Sequence, residues 1–385
     1  MLRDMTSMTN LMWFEKREFV SRLARIQTVL AERGLDALLA FQPETITWAT
    51  GHFTRAYTGY QVALIPLAGE PVLICRNVSR YYAENTVAVG RIEYWRDGQD
   101  RDALALSVVR EHLGSPKALG IELNSWVLNP LRFEGLVKSL APARLVDVGK
   151  DMASLRLIKS PAEIAYQRHA ARAAEAAMEA ALTAARPGAN ELDVAAAAAS
   201  ALILAGSDTP GPGVLSSGER ARHLHGGYIS RRLEEGDTLQ YEPTPHVRHY
   251  NARFMRTIKV GRASKTEIEN AEKLIAVQDK AIAAVAPGVP ASVPDRIYRE
   301  GIMATGLTDQ YTNKTFYSVG LLMNPTDAEP LEATPEASWH FAPGMTFHSY
   351  LLVDGFGMSE TIAVTATGVE RLTNFRRSLL ESGSV

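Results

Sequence analysis

The sequence predicts a two-part chain: an α/β domain over residues 1–155, then an α+β domain over residues 156–385. Three observations predict it. Helical and strand-like segments alternate through the first part. A complete helix-start signal, Ser160-Pro-Ala-Glu163, opens the second. Within the second part, a long helix, a Pro-Gly stop, a shorter helix and a set of strands occur twice in succession.

In the first domain, Phe14 to Arg33 has helical periodicity and ends at Gly34, and Leu35–Phe41 reads as a buried strand. Val62-Ala-Leu-Ile-Pro66 and Pro71-Val-Leu-Ile-Cys75 flank Ala68-Gly69, the pattern of a hairpin. Ala118–Glu122 and Leu145–Val148 are further short strands between helical stretches. Cys75, the single cysteine, has no partner for an internal disulfide and no flanking His or Asp, so it reads as a buried strand residue rather than a nucleophile.

In the second domain, Ser160 caps an alanine-rich helix to about Ala185, Arg186-Pro-Gly188 stops it, and Asn190 opens a second helix to about Ala205. Ser264-Lys-Thr-Glu267 repeats the capping box, its helix runs to Ala286, Pro287-Gly288 stops it, and another helix begins near Val293. The Pro-Gly stops lie 100 residues apart, which reads as an internal duplication or as two unrelated helix ends. Strands follow each helix pair: Thr238–Glu242 with Arg253–Val260, then Met345–Val353 with Gly357–Val364. Met358, Glu360 and Ile362 share one strand face, so Glu360 is expected to be at least partly buried and in need of a partner.

Composition narrows the function. With 46% apolar and 22% charged residues the chain is of ordinary globular type, and a formal net charge of −2 gives no reason to expect nucleic-acid or membrane partners. No apolar run approaches the roughly 20 residues of a membrane helix. The opening residues carry charges too early for a secretory leader, so a cytoplasmic location is expected. Six of the nine histidines, His223, His225, His246, His249, His340 and His348, fall between positions 223 and 348. His225 precedes Gly226-Gly227, where the backbone can approach a ligand closely; an ordinary surface loop histidine fits the spacing equally well. His348 alternates with Thr346 and Tyr350 on one strand face, as a ligand contact or as an interior histidine. Glu242 ends a strand before Pro243-Thr-Pro245, a place from which a carboxylate can face a cleft. Cys-x-x-Cys, His-Glu-x-x-His, Gly-x-Ser-x-Gly and phosphate-loop patterns are missing. What remains is acid/base or nucleophilic chemistry by histidine and carboxylate.

Leu155-Arg-Leu-Ile-Lys-Ser-Pro-Ala-Glu163, Glu235-Gly-Asp-Thr-Leu239, Arg256-Thr-Ile-Lys-Val-Gly261, Pro343-Gly-Met345 and Glu360-Thr-Ile-Ala-Val-Thr365 resemble, in order and spacing, the landmarks of the pita-bread family of creatinases, prolidases and Xaa-Pro aminopeptidases. The resemblance spans nearly the whole chain and implies a creatinase-type α/β domain followed by a pita-bread catalytic domain. Peptidases of this family hold two metal ions with two Asp, one His and two Glu; register on the landmarks puts Glu242, Arg253, Tyr317, Tyr350 and Glu360 at those places. A fixed positive charge at Arg253 opposes a dication there, so no metal and no other cofactor is expected. Gly236–Glu242, Tyr250–Thr257, Tyr317–Gly320 and Gly344–His348 look most like the metal-free branch of creatinase and ectoine hydrolase. Met255 replaces a creatinase glutamate, which argues against creatine as substrate.

The resemblance implies His225, Glu242 and Glu360 as catalytic groups and His348, Arg253, Tyr317 and Tyr350 as substrate contacts, with Arg253 either clamping a substrate carboxylate or pairing with Glu242. It also implies a homodimer in which Arg55, Tyr57 and Gln61 reach the partner's site. The expected activity is metal-independent hydrolysis of a non-peptide C–N bond in a small amino-acid derivative. A metal-dependent Xaa-Pro dipeptidase and a non-catalytic small-molecule-binding protein are the alternatives.

Overall fold

The computed structural model describes residues 11–209, 211 and 213–382; the part of the leader reading that rests on residues 1–10 lies outside them. By its internal contacts the chain divides into two compact units, Met1–Arg156 and Leu157–Val385.

In chain order the first unit contains α1 (Lys16–Arg33), β1 (Ala37–Ala40), α2 (Pro43–Thr50), β2 (Val62–Pro66), β3 (Val72–Arg76), α3 (Arg80–Thr86), β4 (Arg91–Trp95), α4 (Arg101–Leu113), β5 (Ala118–Ile121), α5 (Pro130–Leu140), β6 (Arg144–Asp147) and α6 (Gly149–Leu157). Its six strands form one sheet in the order β4-β3-β2-β1-β5-β6. The expected hairpin is the antiparallel β2–β3 pair, and Gly69 takes a left-handed φ of 94° in its turn. Gly34 ends α1 in the left-handed conformation, donating to Ala31 O and Leu30 O. Cys75 is buried in β3, and burial pushes its thiol up to about 12. Such a thiol is inert at neutral pH.

The second unit contains α7 (Pro161–Ala184), α8 (Glu191–Leu204), β7 (Val214–Ser217), β8 (Thr238–Glu242), β9 (His246–Val247), β10 (Tyr250–Asn251), β11 (Arg256–Val260), α9 (Lys265–Ala283), α10 (Ser292–Ala304), β12 (Phe316–Ser318), β13 (Thr346–Val353), β14 (Phe356–Val364), β15 (Val369–Arg371) and β16 (Leu380–Ser382). Both capping boxes form: Ser160 and Ser264 accept from the backbone of Glu163 and Glu267, whose carboxylates reach back to the cap. α9 ends at Ala283, short of the expected Ala286.

The main sheet runs β12-β13-β14-β11-β8-β7, with β15 on β14 and β16 on β11. The order is symmetric about the β14–β11 pair, as a duplication requires. Equivalent backbone bonds mark the two copies. Gly188 N donates to Leu233 O (2.7 Å) and Gly288 N to Phe341 O (2.8 Å); Glu191 N donates to Arg231 O (2.9 Å) and Ala291 N to Trp339 O (3.0 Å). Each helix pair covers its own half of the sheet with a separate apolar cluster, one including Met178, Leu202, Tyr241 and Phe254, the other Leu274, Tyr298, Phe347 and Met358. That packing fixes which strand faces are closed and leaves the opposite faces to line a site. No described helix is long and apolar enough to cross a membrane.

Candidate active site

Strand register decides which side chains meet. On β13, Phe347, Leu351 and Val353 belong to the apolar cluster; alternation turns Thr346, His348 and Tyr350 to the other face. In the antiparallel register Tyr317 of β12 lies directly opposite His348. A cavity of about 520 Å³ opens on this face, lined by His225, Glu242, Arg253, Tyr317, His348 and Tyr350 among others.

Glu242 is the last residue of β8 and is buried, only 8% exposed. Among the described residues no hydrogen bond holds its carboxylate, and His348 Nε2 stands 3.7 Å from Oε1. Burial raises the Glu242 carboxyl above its ordinary range, and the charges of Arg253 and His225 oppose that rise. For His348, burial first and the Arg253 charge second hold the ring well below the usual imidazole range. It is therefore neutral, and its approach to Glu242 is a contact rather than an ion pair.

His225 reaches the cavity from a loop, at a left-handed φ of 65°. Gly226 beside it is needed for close approach: a Cβ there would sit 2.5 Å from Ser216 Oγ.

Arg253 lines the cavity and, among the described residues, makes no ion pair with Glu242, whose charge it meets through space. Its Nε donates to Asn251 Oδ1 (3.0 Å), Nη1 to Tyr317 OH (3.1 Å) and Nη2 to Asp327 O (2.9 Å). The guanidinium ties three segments together through neutral acceptors, and its charge acts on the cavity through space.

Glu360 is buried and partnered, as its strand position predicts, but it does not line the cavity. It lies opposite Ser349, and Phe347 opposite Ile362, so Glu360 shares the closed face with the apolar cluster. The positions of β14 on the His348–Tyr350 face are Ser359 and Thr361. The Glu360 carboxylate is fully buried and bound by Arg256 Nη2 (2.7 Å), Arg377 and Thr373. It is not among the residues lining the cavity, and none of its hydrogen bonds goes to His225. Arg256, which the sequence pattern does not single out, is its fully buried partner.

The remaining expected contacts lie in the first unit. Arg55 is exposed, Tyr57 stacks on Phe53 (6.2 Å, 29°), and Gln61 is buried. Gln61 lines a larger cavity of about 780 Å³ with His52. The acids there are committed: Asp97 pairs with Arg76 at 2.6 Å and Asp100 caps α4.

Known proteins share this architecture. The model of Metallopeptidase family M24 matches residues 165–366, more than half of the chain, and that of the Creatinase/Prolidase N-terminal domain matches residues 22–158. The chain belongs to metallopeptidase family M24. Among curated relatives, the ectoine hydrolase of Halomonas elongata is 25% identical over 95% of this chain and 98% of its own length. The Xaa-Pro dipeptidase of Pyrococcus furiosus is 26% identical over 93% of this chain and 99% of its own. The prolidase structure from Pyrococcus horikoshii OT3 superposes with a TM-score of 0.82 at 23% identity, covering 94% of this chain and all of that one. The two-domain creatinase–pita-bread architecture and membership in a hydrolase family are thereby established, while relatives of both activities are equally similar.

The family's name implies metal, and the residues present do not fit it. Among the described residues no group of three His, Cys, Asp or Glu could hold an ion. Of the expected ligand places, Arg253 carries a cation, Tyr317 and Tyr350 are phenols, and Glu360 faces away. Burial pushes Tyr350 up to about 12, so it is no anionic donor near neutral pH. Glu242 is left as the single carboxylate of that set in the cavity.

Proposed function

We propose that this chain is a metal-independent hydrolase of a non-peptide C–N bond in a small amino-acid derivative, an amide or cyclic amidine of the kind that ectoine hydrolase takes. The observation that carries this reading is the shared cavity of Glu242 and His225, with the Arg253 guanidinium where metal ligands would otherwise gather. Glu242 delivers the attacking oxygen, directly or through a water whose proton it takes. The carbon adds that oxygen, the C–N bond breaks, and His225 relays a proton to the leaving nitrogen, the one Glu242 took from water on the second route; on the direct route a water then opens the covalent intermediate, which frees the Glu242 carboxylate and returns the proton to His225. A carboxylate free of hydrogen bonds and raised by burial suits this role better than one locked in an ion pair. The cytoplasmic location and a homodimer, with Arg55, Tyr57 and Gln61 offered to the partner's substrate, belong to the same proposal.

The test is a substrate panel read by mass spectrometry: ectoine and its hydroxylated relative, then N-acyl diamino acids, creatine and proline dipeptides, on chelator-treated enzyme. Turnover that survives chelation and is lost in Glu242→Gln, with the folded state intact, is expected. Wild-type-like turnover in that variant would remove the mechanism. The similarity to dipeptidases supports a second reading, and stoichiometric Mn, Co or Zn with dipeptide cleavage would put it in first place.

A further inference from the structure

The hydrogen bonds behind His348 determine where its proton lies. Tyr317 OH is 3.1 Å from Arg253 Nη1 and 2.7 Å from His348 Nδ1. A guanidinium only donates, so the phenol oxygen accepts from Arg253 and its own proton is left for Nδ1. An imidazole that accepts at Nδ1 and is neutral carries its hydrogen on Nε2. Burial raises the Tyr317 phenol and lowers the His348 ring, so each keeps the state this arrangement needs. The ring is held in plane by Tyr350, stacked at 5.5 Å and 9°.

Nε2 is the end that faces Glu242, and among the described residues it has no hydrogen-bond partner although His348 is only 1% exposed. A buried donor with no acceptor calls for an explanation, and one aimed into an open cavity is completed there by a water or by a bound group. The distance of 3.7 Å to Glu242 Oε1 is too long for that bond to be made within the protein.

We propose that His348 is a catalytic hydrogen-bond donor whose Nε2–H, fixed by the positioning residues Tyr317 and Arg253, binds the oxygen of a substrate carbonyl, so that the site takes amides and turns away amidinium ions. The proposal rests on the hydrolase reading of this cavity and narrows its substrate class. A carbonyl oxygen accepts from Nε2–H, and when oxygen adds to the carbon its negative charge grows on that atom, against the donor. The tetrahedral species then collapses, the carbonyl re-forms, the C–N bond breaks, and the leaving nitrogen takes its proton by way of His225. An amidinium offers only N–H groups around its carbon, which would meet Nε2–H donor to donor, and its charge is repelled by Arg253. Lys314 at the cavity wall adds to that repulsion, while Glu242 and Asp327 on the same wall and Glu332, 3.1 Å from Lys314, oppose it, so the donor-to-donor clash at Nε2–H carries the discrimination.

The test reads the histidine itself and does not depend on turnover. In full-length protein with 15N-labelled histidine, the His348 signals are identified by their loss in His348→Gln. Across neutral pH we expect a protonated Nε2 and a pyridine-like Nδ1, with that preference lost in Tyr317→Phe. Acetamide should shift the Nε2 resonance and acetamidinium should not. A proton on Nδ1, a doubly protonated ring, or a response to acetamidinium alone would overturn the proposal. On an amide that is turned over, His348→Phe should lower kcat by about 10²–10³-fold, the usual effect of losing one such donor, and His348→Gln should restore part of it. A failure of the hydrolase reading would appear separately, as unaltered turnover in Glu242→Gln.

Discussion

Replacing Glu360 with alanine separates the two roles that a strand carboxylate can have, in chemistry or in holding the fold. In the structure its side chain joins Arg256, Arg377 and Thr373 beneath the sheet. Arg256 is fully buried, and its other acceptors are backbone oxygens of Met255, Ser359, Phe375 and Arg376. Arg377 has a second carboxylate, Asp279 Oδ1 at 2.8 Å, so it is not stranded. Arg256 is stranded. Removing one partner of a buried pair typically costs about 3–5 kcal/mol because the other charge stays buried and unpaired. With a slope of about 3 kcal/mol per molar urea, the unfolding midpoint should fall by about 1 M or more. Circular dichroism in urea measures it, and kcat on whatever substrate the panel identifies gives the second readout. We expect a large loss of stability and, under conditions where the variant is folded, turnover reduced far less than in Glu242→Gln. An unchanged midpoint with abolished turnover would refute a purely structural role and return Glu360 to the chemistry.

Three further outcomes follow from other residues. Glu122 is fully buried, and burial pushes its carboxyl up from 4.5 to about 7, opposed by Arg156 and by a bond from Thr45. The folded chain therefore holds that proton where the unfolded chain has lost it, so stability declines as pH rises from about 4.5 to about 7; Glu122→Gln should remove up to about 3 kcal/mol of that decline in urea titrations across the same range. Gly226→Ala places a methyl 2.5 Å from Ser216 Oγ and should cost about 1–3 kcal/mol, with kcat/KM falling as His225 is displaced. The acid limb of kcat/KM should lie above the ordinary glutamate range because burial raises Glu242, and Arg253→Gln should move it to higher pH, since the Arg253 charge holds that carboxyl down.

Local chemistry made much of the fold legible, and pairing between distant strands accounts for most of what was not. The capping boxes at Ser160 and Ser264 and the stops at Pro187 and Pro287 are short-range signals; the boxes form as read, while α9 already ends at Ala283, ahead of its stop. The all-buried helix α2 went unread because Thr45, Ile46, Thr47 and Trp48 favour strands; only Pro43 at its start and Gly51, left-handed at its end, mark it. At the site, alternation correctly grouped Thr346, His348 and Tyr350, and correctly grouped Met358, Glu360 and Ile362. It carries no information on which group faces the cavity. That choice is made by the β13–β14 register, where Ser349 meets Glu360 and His348 meets Thr361. The Tyr317–His348 pair was hidden for the same reason: β12 is three residues long and lies 31 positions away.

The same register explains how a family built around metal ligands can accommodate an arginine. The cavity face of β13 and β14 carries His348, Tyr350, Ser359 and Thr361, none of them anionic near neutral pH, so the acids that answer the Arg253 charge, Glu242 and Asp327, come from other segments. The acidic residue that would have added a second negative charge points the other way and is neutralised by Arg256 and Arg377. Clustered carboxylates favour a dication; acids that form no metal-holding group among the described residues, set beside a neutral imidazole and a guanidinium, favour a polar organic group with an acceptor oxygen. Turning the strand's second acid back to the cavity, by Ser359→Glu, should therefore raise the Glu242 carboxyl further through like-charge repulsion and move the acid limb of kcat/KM to higher pH. An unmoved limb in a folded variant would show that position 359 does not share the cavity, and the assignment of the β14 faces would be wrong.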